Sequence, residues 1–408
     1  MSTTAESISP ARTPDVWSEV VGQAPTVTVL RAAAEAAATL VAGGEPDSQA
    51  MTHAWLFTGP PGSGRTVAAR AFAAALQCAE GRGCGVCAGC RTTLAGTHAD
   101  VRFVEPEGLS ISVAEMRSLV QAAARRPTNG RWQVVIIADA DRLTEGAANA
   151  LLKAVEEPPD RTVFLLCAPS DHPEDVSVTI RSRCRRMALR TPPAADIAEV
   201  LAVRDGIDRE TAAWAASVCG GHVGRARRLA RDANAREHRE AVLRVPLALH
   251  RLADVFSCAD DLVTTAETEA AAITEGRDAA EREALETAMG AGGTGRGTAG
   301  TARGARGALK DLEKRQKSRA TRAQRDALDL ALIDLAGFYR DVLVTAAGGG
   351  APLTHPDHAA ESARAASNWA PESALRRLEA VLACRTAIEW NVKPRIAIEA
   401  MLSSLYRG

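Results

Sequence analysis

Eight residues, Gly59-Pro60-Pro61-Gly62-Ser63-Gly64-Arg65-Thr66, constrain the fold of this chain more than any others. They follow an apolar run, Ala54-Trp55-Leu56-Phe57, and open an alanine-rich stretch that reads as a helix from Val67 to Leu76. Strand, glycine loop and helix make the setting that a P-loop requires. Its glycines let backbone N–H groups converge on phosphate oxygens at a positive helix N-terminus; a lysine reaches the outer phosphates and a Ser/Thr hydroxyl holds Mg²⁺. Gly59, Gly62, Gly64 and Thr66 stand at the motif's positions, with Arg65 in the lysine's place. Arginine keeps the charge, but its planar fork is longer and wider than an ammonium, so the loop's geometry is kept while its chemistry changes. A plain glycine turn between strand and helix is the alternative; a match that fails at one position favours the phosphate site.

After that helix come Cys78, Cys84, Cys87 and Cys90, the last three separated by two residues each. Four thiols so spaced can surround a tetrahedral ion, and Zn²⁺ on four thiolates is the usual occupant in a reducing cytosol. Gly81, Gly83, Gly85 and Gly89 make the segment turn-rich, which weakens the alternative of ordinary core cysteines. Four cysteine ligands leave no open position, so zinc here is expected to be structural.

Elsewhere in the first half, strands and helices alternate. A helix with Val27, Leu30 and Ala34 at helical spacing runs to about Leu40, and another covers Ser112 to Ala124. Gln133 to Ala138 reads as a buried strand ending in Ala138-Asp139-Ala140-Asp141, where Asp139 has the place of a strand-end acid that directs Mg²⁺ or water in P-loop NTPases. Asn149 to Glu157 reads as a helix stopped by Pro158-Pro159, and Thr162 to Cys167 as a further buried strand. The basic run Arg181-Ser182-Arg183-Cys184-Arg185-Arg186 then reads as a loop after the last strand. Residues 15 to 190 are therefore expected to form an α/β domain with a mostly parallel sheet and a ligand site at the strand C-termini.

From Thr191 onward the pattern is wholly helical: a short helical domain to about 235, then a longer one to 408. A stretch from Arg236 to Met289 is acidic in its later half, and a basic stretch holds Lys310, Lys314, Arg315, Lys317, Arg319, Arg322 and Arg325. Between them, 290 to 307 is glycine-rich and predicted to be flexible. The two arms are expected to pair as antiparallel helices, with DNA contact by the basic arm as the alternative. Leu328, Leu332, Leu335, Tyr339 and Val342 form a helical seam, and helices start at Pro371 and Pro394.

Lys+Arg 49 against Asp+Glu 50 leaves a net charge of −1, which argues against an overall electrostatic drive onto nucleic acid or anionic membrane. No apolar run approaches the ~20 residues that span a bilayer, and the polar start lacks signal-peptide regions, so a cytoplasmic location is expected.

Taken in order, the P-loop, the cysteine insertion, the stretch from Asn149 to Pro159 and Ser182-Arg183-Cys184 make the chain resemble bacterial clamp-loader subunits of the AAA+ class. Asn391 to Glu399 is also similar to the end of that family's collar. The resemblance implies a RecA-like AAA+ domain (1–190) carrying the zinc insertion at 78–90, an all-α lid (191–235) and an all-α collar (236–408) that joins five subunits in a ring. It implies gamma/tau and delta subunits as partners, with the sliding clamp and primed DNA reached through the complex and no membrane. The stretch near 255 to 325 departs from the shorter members.

Other departures touch the pocket. Active members carry lysine at Arg65 and Asp-Glu at Ala138-Asp139; Cys167-Ala168-Pro169 replaces the polar first sensor, and Gly224 occupies the lid-arginine position with Arg225 beside it. Together these imply a degenerate ATPase site, so ATP with Mg²⁺ is a doubtful cofactor here, while Arg183 keeps the family's role of reaching a neighbour's ATP. Two other functions remain open: an ATP-hydrolysing loader subunit in which Arg65 and Asp139 substitute, and a zinc-stabilised nucleic-acid-binding module.

Overall fold

The computed structural model describes residues 15–45, 50–106, 108–128, 130–288 and 298–408, and the chain divides into two compact units. The first extends to Val200 and takes in 221–223. Its five strands are β1 (Ala54–Thr58), β2 (Val101–Val104), β3 (Gln133–Ile137), β4 (Thr162–Ala168) and β5 (Arg185–Ala188). They form one parallel sheet in the order β2-β3-β4-β1-β5. Helices α1 (Ala24–Val41), α2 (Arg65–Leu76), α3 (Ala88–Leu94), α4 (Val113–Ala123), α5 (Glu145–Glu156), α6 (Val178–Arg181) and α7 (Ala194–Glu199) complete the unit.

Side-chain alternation along the central strands feeds two cores. Trp55, Phe57, Val134, Ile136, Leu165 and Cys167 pack on one face with Leu30 of α1 and Phe72 of α2. Leu56, Val135, Ile137, Phe164 and Leu166 pack on the other with Met116 of α4 and Leu151 of α5. Strands buried on both faces must be apolar throughout, which is why β1, β3 and β4 stand out as unbroken runs. Each large side chain so buried contributes roughly 1.5–3 kcal/mol. Trp55 and Phe72 also meet edge to face at 5.0 Å. Ser112 and Glu115 start α4 with a reciprocal capping box, and the Thr144 hydroxyl caps α5.

The second unit holds 201–220 and 224–408. Its described residues make helices and no strand: α8 (Arg209–Val218), α9 (Val223–Arg231, from 224 in this unit), α10 (Ala233–Ala248), α11 (Leu252–Ala288), α12 (Thr298–Ala346), α13 (Ala359–Asn368), α14 (Pro371–Glu389) and α15 (Pro394–Arg407). The expected seam is present: Leu328, Leu332, Leu335, Tyr339 and Val342 are buried with Val381 of α14 and Leu402 of α15. The acidic and basic arms pair antiparallel. Arg319 binds Asp278 at 2.5 Å and Glu281 at 3.0 Å, and Gln324 donates to Glu267 at 3.0 Å. The sheet order and the helices after it give a RecA-like α/β domain followed by all-α structure. Among the described residues no helix is long and apolar enough to cross a membrane.

Two expectations are corrected. The basic run after β4 is not a terminal loop, because Arg185 to Ala188 forms β5 beside β1. Arg183 therefore precedes the last strand. An edge strand tolerates exposed charge, and Arg185 lays its guanidinium 4.9 Å from the Trp55 ring centroid. The second correction concerns 290–307. Residues 290–297 lie outside the described residues, but from Thr298 the backbone is helical, where glycine content alone predicts flexibility. Ala299, Ala302, Ala305 and Ala308, the best of helix formers, alternate with those glycines.

Candidate functional site

β1 delivers the glycine loop to the C-terminal edge of the sheet, and α2 leaves from it. Gly64, with φ 87°, is the residue before α2, a left-handed conformation that a side chain strains. Gly62, with φ 85°, lies so close to His222 that a Cβ would come within 2.7 Å of the histidine's own Cβ. Gln23, almost fully buried, ties the loop down: its Nε2 donates to the carbonyl of Ser63 at 3.2 Å, and its Oε1 accepts from the Arg190 N–H at 3.2 Å. The Ser63 hydroxyl is buried with no hydrogen-bond partner. Arg65 does not point its charge outward alone; its Nη1 donates to the Gly59 carbonyl at 2.7 Å.

Neighbouring strand ends close the pocket. The pairing of β1 with β4 puts Phe57 opposite Cys167, and β3 lies on the other side of β4. Burial pushes the Cys167 thiol up to about 12; Arg65 and a hydrogen bond from Thr66 pull it down and Asp139 pushes it further up. Asp141 is likewise raised by burial and then by the charge of Asp139, with Arg142 and Arg65 opposing, and its Oδ1 has no hydrogen-bond partner. The structure thus brings together Gly59, Gly62, Gly64, Arg65, Thr66 and Asp139. The loop runs directly into the N-terminus of α2, the positive end of a helix and the kind of place where an anion is favoured. The pocket's acid set does not fit the magnesium-directing pair of an active site, because Asp139 is flanked by Ala138 and Ala140.

Arg183 has a different set of partners. Its Nη2 meets Glu156 at 2.7 Å, with both side chains about two-fifths exposed, and its Nη1 donates to the Thr179 carbonyl at 2.9 Å. Cys184 beside it packs into the core, so its neighbour Arg183 is held at the surface.

The four cysteines come together between α2 and α3, with all Sγ atoms within 4.8 Å of one another. Tetrahedral Zn²⁺ with bonds of about 2.3 Å needs such spacing, so the cluster can hold a zinc ion. The site is anchored from outside its own loop: Trp17 Nε1 donates to the Arg82 carbonyl at 3.0 Å, and Arg131 Nη1 to that of Cys78 at 2.9 Å. Burial raises the Cys78 thiol, but N–H groups of Cys84, Glu80 and Gly83 outweigh it and bring it to about 6. The Cys87 thiol is also lowered, against burial, by backbone donors of Cys90 and Ala79. Burial instead pushes the Cys84 and Cys90 thiols up, so thiolate, the form that ligates metal, is favoured at Cys78 and Cys87 alone.

Sequence reasoning missed Gln23 and Glu156. Neither carries a motif signal, since each acts on a partner distant in sequence.

Residues 42–193 match a family described as "DNA polymerase III, delta subunit". The delta' subunit of Pseudomonas aeruginosa is 40% identical over 155 residues, 37% of this chain and 47% of the relative. That of Bacillus subtilis is 35% identical over 139 residues, 34% and 42% respectively. A gamma/tau subunit of Mycobacterium tuberculosis is 34% identical over 193 residues, 46% and 31%. The chain spans less than half the length of each of these curated relatives. The match is confined to the nucleotide domain, where residues 42–193 are similar to the corresponding part of DNA polymerase III delta and delta' subunits.

Proposed function

We propose that this chain is a non-hydrolysing member of a clamp-loader ring that supplies Arg183 in trans to the ATP of a neighbouring gamma/tau subunit. In this reading it works in the cytoplasm with gamma/tau and delta subunits to place a sliding clamp on primed DNA. The observation that carries it is the contrast between two arginines. Arg65 is turned onto its own loop in a pocket where Ala138 stands beside Asp139 in place of a pair of acids, whereas Arg183 stands at the surface on partners outside that pocket.

The guanidinium of Arg183 matches phosphate oxygens with a planar fork, which a lysine cannot reproduce. In other phosphoryl-transfer systems an arginine supplied in trans is worth 10³ to 10⁵ in rate. The helices of 191–235 act as a lid and those of 236–408 as a collar, and the cysteine cluster holds one structural Zn²⁺ that stiffens the turn between α2 and α3. ATP turnover by the full chain alone and by the reconstituted complex, measured side by side, tests the reading. The isolated chain is expected to be silent and the complex active; turnover by the chain alone would overturn it.

A further inference from the structure

Glu156 ends α5, just ahead of Pro158-Pro159. A carboxylate there faces the negative end of the helix, so this site disfavours it unless a cation answers it. Arg183 is that cation, 2.7 Å away. The guanidinium is then occupied on both terminal nitrogens: Nη2 by Glu156, and Nη1 by the Thr179 carbonyl at 2.9 Å and the Ser182 hydroxyl at 3.3 Å. Three of its five N–H donors are thus engaged within its own chain.

From this geometry we infer that Glu156 is a positioning residue that parks Arg183 in the free subunit and surrenders it to a polyphosphate. The inference rests on the trans role of Arg183 proposed above. Three physical points support it. The pair is about two-fifths exposed, and exposed pairs of this kind bind weakly, so release costs little. The same fork that binds a carboxylate binds phosphate oxygens, so the two acceptors compete for one set of donors. A nucleoside triphosphate carries several negative charges against the single charge of Glu156, and it therefore wins once it is within reach. Parking keeps a surface arginine from binding other anions and fixes the rotamer from which it departs. Glu157, one residue on, is exposed and provides a control of equal charge.

Two measurements test the parking. In the isolated full chain, modification of Arg183 by phenylglyoxal, read by peptide mass spectrometry, should be faster in Glu156→Gln than in the parent or in Glu157→Gln. In the reconstituted complex, Glu156→Gln should lower the apparent KM for ATP by up to about fivefold with kcat unchanged, because the competing carboxylate is gone and the transition-state contact is kept. Glu157→Gln should match the parent. A Glu156→Gln variant that matches the parent in both assays, or that loses kcat as Arg183→Ala does, overturns the inference. If Arg183→Ala itself leaves turnover unchanged, the trans role fails; if it lowers turnover while Glu156→Gln does nothing, only the parking fails.

Discussion

Arg65 and Gly59 close the glycine loop on itself, with Nη1 of the arginine donating to the glycine carbonyl at 2.7 Å. A phosphate entering the cradle has to displace or share that contact, so the arginine acts first as a brace of its own loop. Arg65→Ala is predicted to leave the fold intact and to cost about 1 kcal/mol, the net worth of one hydrogen bond, in chemical denaturation of the full chain. A loss several times larger would mean that the loop depends on this brace for its structure.

If the cysteine cluster holds Zn²⁺, metal analysis of protein purified without chelator should find about one equivalent, with all four cysteines reduced. Cys87→Ser should release the metal and loosen the segment between α2 and α3. Unfolding of the helical unit, which has its own core, should keep its midpoint. Absence of metal from the parent protein contradicts the assignment.

Arg225 binds Asp334, and the two side chains are only 11% and 4% exposed. Stripping one partner from a buried pair strands the other, a cost of about 3–5 kcal/mol. Arg225→Ala is predicted to destabilise the helical unit by that order. Replacing both residues by apolar ones of similar size should restore most of it, which a double-mutant cycle in urea would read. Additive losses would contradict the pairing.

Acid should weaken the same unit in two steps. His355 is held below its ordinary value of 6.5 by burial, opposed by Asp334 and aided by Arg239. Below about 6.5 the unfolded chain therefore takes up a proton that the folded chain refuses, and stability falls as pH drops. Asp357 is raised by burial, but the hydrogen bond and charge of Arg239 outweigh that and hold it below 3.8. Its contribution is present above 3.8 and is lost as pH falls through the lowered folded value. His355→Gln should flatten the first step, between pH 7 and 5.5, and leave the second. An unchanged slope would contradict the role given to His355.

The sequence made plain those parts of the fold where burial demands one kind of residue. β1, β3 and β4 are apolar on both faces, and the seam from Leu328 to Val342 repeats at helical spacing, so each was legible. β5 was not, because an edge strand can begin Arg185-Arg186 and still pair, and half-exposed β2 carries no strong period either. The P-loop and the cysteines are local motifs and could be read directly. The tether between Glu156 and Arg183 joins two elements distant in sequence, and only the folded chain brings them together.

ATP turnover by the reconstituted complex, compared between Arg183→Ala and Arg65→Ala, tests the central claim most directly. At the ATP site that this subunit serves, Arg183→Ala should cut the rate by ~10³ or more, and the complex should lose that site's share of turnover with its assembly intact. Arg183→Lys should rescue it only in part. Arg65→Ala should leave turnover where it was. Turnover that follows Arg65 and ignores Arg183 would contradict the account.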